Sequence, residues 1–313
     1  IDMFSERYIK PAMIQLANQV DSDLLALYKQ VPSWVGDAGQ TINSFSDWSV
    51  GLQRLDEFAV PNDGNRTGMV TPTDYYGLAN SFTGSYVESI AKGAIEKARL
   101  PMLGGSDVYM AQNVQTHTVG AHGGTPLIRG ASQSTTYASS LTTDTMDLVT
   151  DGWTTNKGLK EGDVFTISGV NAVNPVTKAA LGFARQFRIV SNVTTNTSAA
   201  AATTITISPA IITSGPYQNC TAAPDNDTAI TMIGTASTGY RQNMLFHKNA
   251  FALVTVPLKA PASAKSARQS YKGLSVRYVT DYDITNDREI YRFDVLYGVK
   301  AIDPRLATRI SGT

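Results

Sequence analysis

Residues Leu274 to Gly312 read LSVRYVTDYDITNDREIYRFDVLYGVKAIDPRLATRISG. Two long β-rich runs flank a polar turn, Asp281 to Arg288. The second run passes straight into Tyr297-Gly298-Val299, then Pro304 and a last apolar stretch. Runs rich in Val, Ile, Tyr and Phe around a polar cluster predict a hairpin. The segment builds sheet, Pro304 marks the start of the final strand, and nothing in it has the pattern of a reaction centre.

Working outward, Phe251–Val256 reads as a strand and Lys259 to Lys272 as a polar linker. From about Gln115 to Gln242, Thr, Ser, Ala, Gly and Asn dominate and no helical stripe persists. Strands are expected at Met146–Val149, Val164–Ile167, Phe187–Val190, Thr204–Ile207 and Ala229–Ile233, a spacing that suits a small antiparallel barrel or sandwich. The low-complexity stretch Thr194 to Thr203 reads as an exposed loop. The first third is different. Ser5 to Gln30 carries apolar residues at Tyr8, Ile9, Ala12, Met13, Leu16, Ala17, Val20, Leu24, Leu27 and Tyr28, the spacing of a helix with one buried stripe. Pro11 should kink that helix or restart it, and Val31-Pro32 should stop it. Further helices are expected at Asn43–Phe58, from Thr71, and at Tyr86–Arg99, with extended chain at Gly68–Val70 and Gly104–Val114. A β-rich middle inside an α+β host is the expected organisation.

Lys plus Arg equals Asp plus Glu, at 26 each, so the chain has no long-range field for gathering polyanions and a dedicated nucleic-acid binder is disfavoured. The single cysteine, Cys220, allows no intrachain disulfide and fits a reducing compartment. Sequons at Asn65, Asn192, Asn196, Asn219 and Asn226 read as chance in a Thr-rich sequence. No apolar run approaches the roughly 20 residues of a membrane-spanning helix.

The search for chemistry is negative: the sequence has no phosphate loop, dinucleotide fingerprint or nucleophile elbow. Of the three histidines, His117, His122 and His247, the first two share a Gly-rich stretch without further ligands nearby, and read as a loop with solvated or locally bonded imidazoles. Asp144, Asp147 and Asp151 form one acidic group, and Asp281, Asp283 and Asp287 another. The second lacks the central Gly and closing Glu of a calcium loop and reads as a hairpin turn. Lys259, Lys265, Arg268 and Lys272 form a loose basic cluster, read as solvated edge or as a loop that contacts phosphate or another subunit. Tyr75, Tyr76 and the tryptophans read as core or interface anchors. No catalytic, metal or cofactor residue is expected.

Four segments then carry a resemblance. They are Phe4–Leu25 (FSERYIKPAMIQLANQVDSDLL), Gly105–Gly120 (GSDVYMAQNVQTHTVG), Gly158–Val170 (GLKEGDVFTISGV, with Lys160-Glu161-Gly162-Asp163 as its turn) and the C-terminal run. In this order they resemble the major capsid proteins of tailed bacteriophages with the HK97-like fold, specifically the P22-type coat proteins. The resemblance implies an α+β subunit in four segments: a peripheral-domain spine helix (1–33), the first part of an axial domain (34–114), an inserted β-barrel-like domain (115–242), and the remaining axial and peripheral strands (243–313). It implies a structural protein that self-assembles through pentamers and hexamers into an icosahedral shell around double-stranded DNA. Scaffolding and portal proteins are the implied partners, with no membrane. Assembly in the bacterial host cytoplasm and residence in the virion follow. Family members carry an arm and an extended loop before the spine helix. This chain starts at that helix, so those parts are expected to be missing from it. A tail-tube or surface-adhesion protein is the alternative that a Thr-rich β middle would suit.

Overall fold

In the computed structural model, Pro11 decides how the first helix begins. The run opens as a π-helical turn, Ser5–Ile9, and becomes an α-helix, α1, at Lys10–Leu25, with Pro11 in its first turn. A missing N–H costs nothing there, so the helix restarts at the proline rather than bending around it. A 3-10 turn, Ala26–Gln30, ends it before Pro32. The structure describes all residues except 1–4, 84–87, 99, 131–143, 260, 262–264 and 272–273. It is a mixed fold of few helices and many strands, and the chain divides into two units. One is Ile1–Leu27 with Phe251–Ile302, the other Tyr28–Ala250 with Asp303–Thr313.

In the first unit, α1 packs on the last strands of that unit, and the Tyr297 hydroxyl donates to Asp23. The stripe on α1 is only half covered, which corrects the expectation of a buried face. Val20 and Leu25 are buried, Ile9, Ala12, Met13, Leu16 and Leu24 are half-buried, and Tyr8 and Ala17 are exposed. The C-terminal hairpin forms as expected, from Leu274–Asp283 and Arg288–Val295, with Asp283 opposite Arg288. A third strand, Lys265–Tyr271, pairs with the first of these. It lies where a polar linker was expected. Its residues, KSARQSY, lack the alternating apolar face by which a half-buried strand is read. A separate two-stranded ribbon joins Phe251–Thr255 to Tyr297–Ala301.

The second unit is built on a five-stranded sheet in the order Trp34–Val35, Ala307–Ile310, Asn243–His247, Arg66–Val70, Ser106–Met110. Helices α2 (Phe45–Glu57), α3 (Pro72–Asn80) and α4 (Glu88–Lys97) accompany it. Tyr86 and Arg99, the expected ends of α4, lie outside the described residues. A capping box starts α2: the Ser44 hydroxyl accepts from the Asp47 N–H at 3.1 Å, and the Asp47 carboxylate accepts from the Ser44 N–H at 3.2 Å. Thr71 caps α3 ahead of Pro72. Trp48, Leu52 and Leu55 of α2 bury against Leu78, Leu245 and Ile310. Gly68 is required in this core, because a Cβ there would lie 2.1 Å from the Trp48 ring.

Between Ser106–Met110 and Asn243–His247 the chain leaves the sheet and returns. Its two ends pair as short neck strands, Thr116–Thr118 and Gly239–Arg241, with His117 opposite Tyr240. Beyond the neck is a six-stranded sheet in the order Ile230–Met232, Val164–Val173, Ala180–Ile189, Thr203–Ser208, Met146–Trp153, Gly124–Ile128. Its two edge strands meet. Leu127 bridges Ala229, the Ile128 N–H donates to the Thr228 carbonyl at 2.9 Å, and the Asp227 N–H donates to the Ile128 carbonyl at 2.8 Å. The sheet therefore closes into a barrel, which removes its open edges. Leu148, Phe165, Ile167, Phe187, Ile205 and Ile207 fill it, with Cys220 among them. All five expected strands exist: three are longer, Phe187–Val190 falls at the end of Ala180–Ile189, and Ala229–Ile233 is shortened to Ile230–Met232. The sixth, Gly124–Ile128, was not legible, because Gly124-Thr125-Pro126 reads as a turn.

Candidate functional site

Where the barrel meets the sheet, the second unit buries charge. His117, on the first neck strand, is 3% exposed, and both of its ring nitrogens have partners. Nε2 lies 2.8 Å from Asp163 Oδ1 and Nδ1 lies 3.1 Å from the Tyr28 hydroxyl. With Asp163 ionised, Nε2 carries the proton, and Nδ1 accepts from Tyr28. Asp163 closes the turn Lys160-Glu161-Gly162-Asp163 and is itself buried. Both of its oxygens accept from the Gly120 N–H at 3.1 Å, and Oδ2 also accepts from the Lys160 N–H at 2.8 Å. One carboxylate thus ties the turn ahead of Val164–Val173 to the neck and, through His117, to Tyr28. His117 therefore departs from the reading of a solvated or locally bonded imidazole. Its partner is 46 residues away in sequence, a distance no local pattern reveals.

Arg309, on the terminal strand, completes this junction. It is fully buried, donating from Nη1 to the Gly162 carbonyl at 2.9 Å and towards Gln242 at 3.3 Å. Its guanidinium stands 5.3 Å from the Tyr28 ring centre and 5.8 Å from that of Trp34. Two aromatic faces thus offset part of its desolvation. Burial still pushes its pKa down to about 9 and pushes the Tyr28 hydroxyl up. Gln186 of the barrel adds a two-way bond to the backbone of Trp34, at 2.7 Å and 2.6 Å. On another side of the barrel, the Arg54 guanidinium of α2 stacks 3.5 Å from the Phe183 ring, Arg185 covers Phe58, and Asn174 donates to the Glu57 carbonyl at 2.9 Å. These groups fix orientation.

The remaining candidates fall apart as chemistry. His122 bonds the Gly234 carbonyl at 3.2 Å, and His247 bonds Asp63 at 3.1 Å. Asp147 accepts from the Thr206 hydroxyl at 2.7 Å, while burial pushes Asp144 up. Asp283 accepts from Thr285, Asn286 and Arg288, and Asp287 accepts from the Tyr282 hydroxyl, so the second acidic group is a hairpin turn. Among the described residues no group of three or more His, Cys, Asp or Glu could hold a metal ion. In the basic cluster, Lys265 and Arg268 lie on a strand, and Lys272 is outside the described residues. The three tryptophan N–H groups donate to Ser311, Ser106 and Thr150 at 2.8–3.1 Å, as core anchors do.

The surface of the first unit is of another kind. Tyr8, Ile14, Leu253, Val254, Val256, Tyr282, Ile284, Ile290, Tyr291 and Leu296 are all exposed large apolar side chains. Among the described residues the second unit exposes others, including Tyr76, Ile95, Tyr109 and Val176, over a much longer stretch of chain. The family model described as "P22 coat protein - gene protein 5" matches residues 2–312. The chain belongs to that family. P22 coat proteins are structural, which agrees with a junction rich in buried polar ties and poor in reactive geometry. A similar curated protein is the major capsid protein of Acyrthosiphon pisum secondary endosymbiont phage 1, 23% identical over 292 residues and 90% of this chain. The chain spans 66% of that relative's length. A solved structure of the CUS-3 coat protein I-domain is 29% identical, covering 36% of this chain and 98% of that one, with a TM-score of 0.26.

Proposed function

We propose that the chain is a major capsid subunit that self-assembles through pentamers and hexamers into an icosahedral shell enclosing double-stranded DNA. In this reading the fold is HK97-like. Residues 1–33 hold the spine helix, 34–114 the first part of the axial domain, 115–242 the inserted barrel, and 243–313 the remaining axial and peripheral strands. Paired neck strands favour an insertion, because they return the chain to the sheet beside the point where it left. The observation that carries the proposal is the contrast between the two units. Among the described residues the first unit, much the shorter, leaves large apolar side chains of helix and strand exposed at a higher density than the second, where Phe45, Tyr76, Ile95, Tyr109 and Val176 are exposed as well. A subunit that repeats in a shell buries such faces against its neighbours, and permanent interfaces of that kind often exceed roughly 2,000 Å². Zero net charge lets like subunits approach without strong repulsion. DNA is contained without being read, a scaffolding protein and a portal are the assembly partners, and assembly takes place in the host cytoplasm. No catalytic step is part of this role. Electron microscopy of the purified protein with a scaffolding protein tests it. Closed shells are expected, and soluble monomers alone would overturn the proposal.

A further inference from the structure

The ribbon of Phe251–Thr255 and Tyr297–Ala301 has two faces set by its register. Leu253 and Thr255 share one face with Val299 and Tyr297. On that face α1 packs against the second strand and receives the Tyr297 hydroxyl bond at Asp23, while Leu253 of the first strand stays 44% exposed. The reverse face carries Val254 opposite Gly298, and the ladder continues where the Val256 N–H donates to the Leu296 carbonyl at 3.0 Å. Val254 is 60% exposed, Val256 50% and Leu296 46%. A Cβ on Gly298 would meet nothing within 4 Å, so the middle of this face is flat and open.

Two features make that face more than stray apolar surface. A two-stranded ribbon alone is marginal in water, and α1 supports only one side of this one. Its outer strand, Phe251-Ala252-Leu253-Val254-Thr255, also lacks the charges and prolines that natural edge strands use against pairing. Among the described residues no strand pairs with the outer edge of Ala252–Val254.

We infer that a second copy of this chain covers the reverse face, in a heterologous contact that repeats from subunit to subunit. The inference rests on the shell reading and adds which face the subunits share. The chain's own α1 is already committed to the opposite side of the ribbon. The same helix exposes a second apolar row, Tyr8, Pro11 and Ile14, at near-helical spacing. One unit thus displays two separate apolar surfaces that face different ways, as a head-to-tail contact requires. The reverse face is uncharged between Val254 and Leu296, and its register places Lys300 at the far end, opposite Ala252.

Thiol accessibility tests this. Cys220 is fully buried and its thiol is pushed up to about 11, so it stays silent towards a maleimide probe at neutral pH. Val254→Cys and Val256→Cys, each checked by circular dichroism for wild-type folding, are labelled as free subunits and as particles freed of scaffold. At least ten-fold slower labelling in particles is expected. A variant that folds as wild type but does not assemble, while wild type does, also supports the contact. Particles that label at the subunit rate would overturn the inference and leave the shell reading standing. So would protection that needs a different virion protein. Failure of the wild-type chain to form particles would overturn the shell reading itself.

Discussion

Asp163→Ala should be among the most damaging single changes in the second unit. The carboxylate is 1% exposed and takes the His117 Nε2–H at 2.8 Å, the Gly120 N–H at 3.1 Å and the Lys160 N–H at 2.8 Å. Lys160 is exposed, so its N–H can turn to water. The other two donors stay buried. Each buried donor left without a partner costs about 1–3 kcal/mol, so the two together cost about 2–6 kcal/mol. Arg309 loses a neighbouring negative charge as well. For a unit of this size the loss lowers the thermal midpoint by roughly 10 °C. Urea unfolding followed by tryptophan fluorescence is a suitable assay, because Trp34 sits beside the junction. Asp163→Asn keeps one acceptor oxygen and should cost about half as much. A cycle with His117→Ala adds a stricter check, since residues that share one bond couple by at least about 0.5 kcal/mol. If Asp163→Ala unfolds within about 1 kcal/mol of wild type, or the cycle is additive, the junction is not the polar anchor argued above.

Gly68→Ala drives a Cβ to 2.1 Å from the Trp48 ring and should cost about 2–3 kcal/mol, seen as a lower midpoint and an altered near-ultraviolet signal. Val295 is half-buried opposite Val276, so Val295→Asp should destabilise the first unit by about 2 kcal/mol and prevent shell assembly; a wild-type yield of shells would contradict its placement. Asn286→Ala removes only an exposed bond to Asp283 at the hairpin tip and should shift stability by no more than about 0.5 kcal/mol in the same unfolding assay. The buried Cys220 thiol titrates near 11, above its unfolded value, so its contribution is intact below pH 9 and lost as pH rises through 11. Between pH 8.5 and 11.5 wild type should lose about 2–3 kcal/mol more than Cys220→Ala, and parallel stability profiles would refute this.

The sequence made local structure legible wherever one periodicity ran unbroken. The restart at Pro11, the helix that begins after Thr71 and the Asp283–Arg288 hairpin follow from short-range rules of φ, capping and turn chemistry. Elements whose signal comes from elsewhere in the chain were not legible. Lys265–Tyr271 is a strand because its neighbour offers an edge, although its own residues are polar on both faces. Gly124–Ile128 is a strand because it closes the barrel between Met146–Trp153 and the Ile230 strand. His117, Asp163 and Arg309 gave no sign of burial. A polar residue announces its partner only when the partner is near in sequence, and here His117 and Asp163 stand 46 residues apart and Arg309 lies 147 from Gly162.

The half-covered stripe on α1 shows a different limit. Spacing at three and four says that a face will leave water, and it says nothing about which molecule removes it. On α2 the same signal is met inside the chain, by Leu245 and Ile310. On α1 the chain supplies cover for part of the face only, and Tyr8 stays exposed. Among the described residues the apolar pattern on α1 is met only in part within its own unit, so the expectation of one buried stripe fails there for a physical reason: the pattern fixes which face avoids water, and the proposed shell assigns the uncovered remainder to a neighbouring subunit.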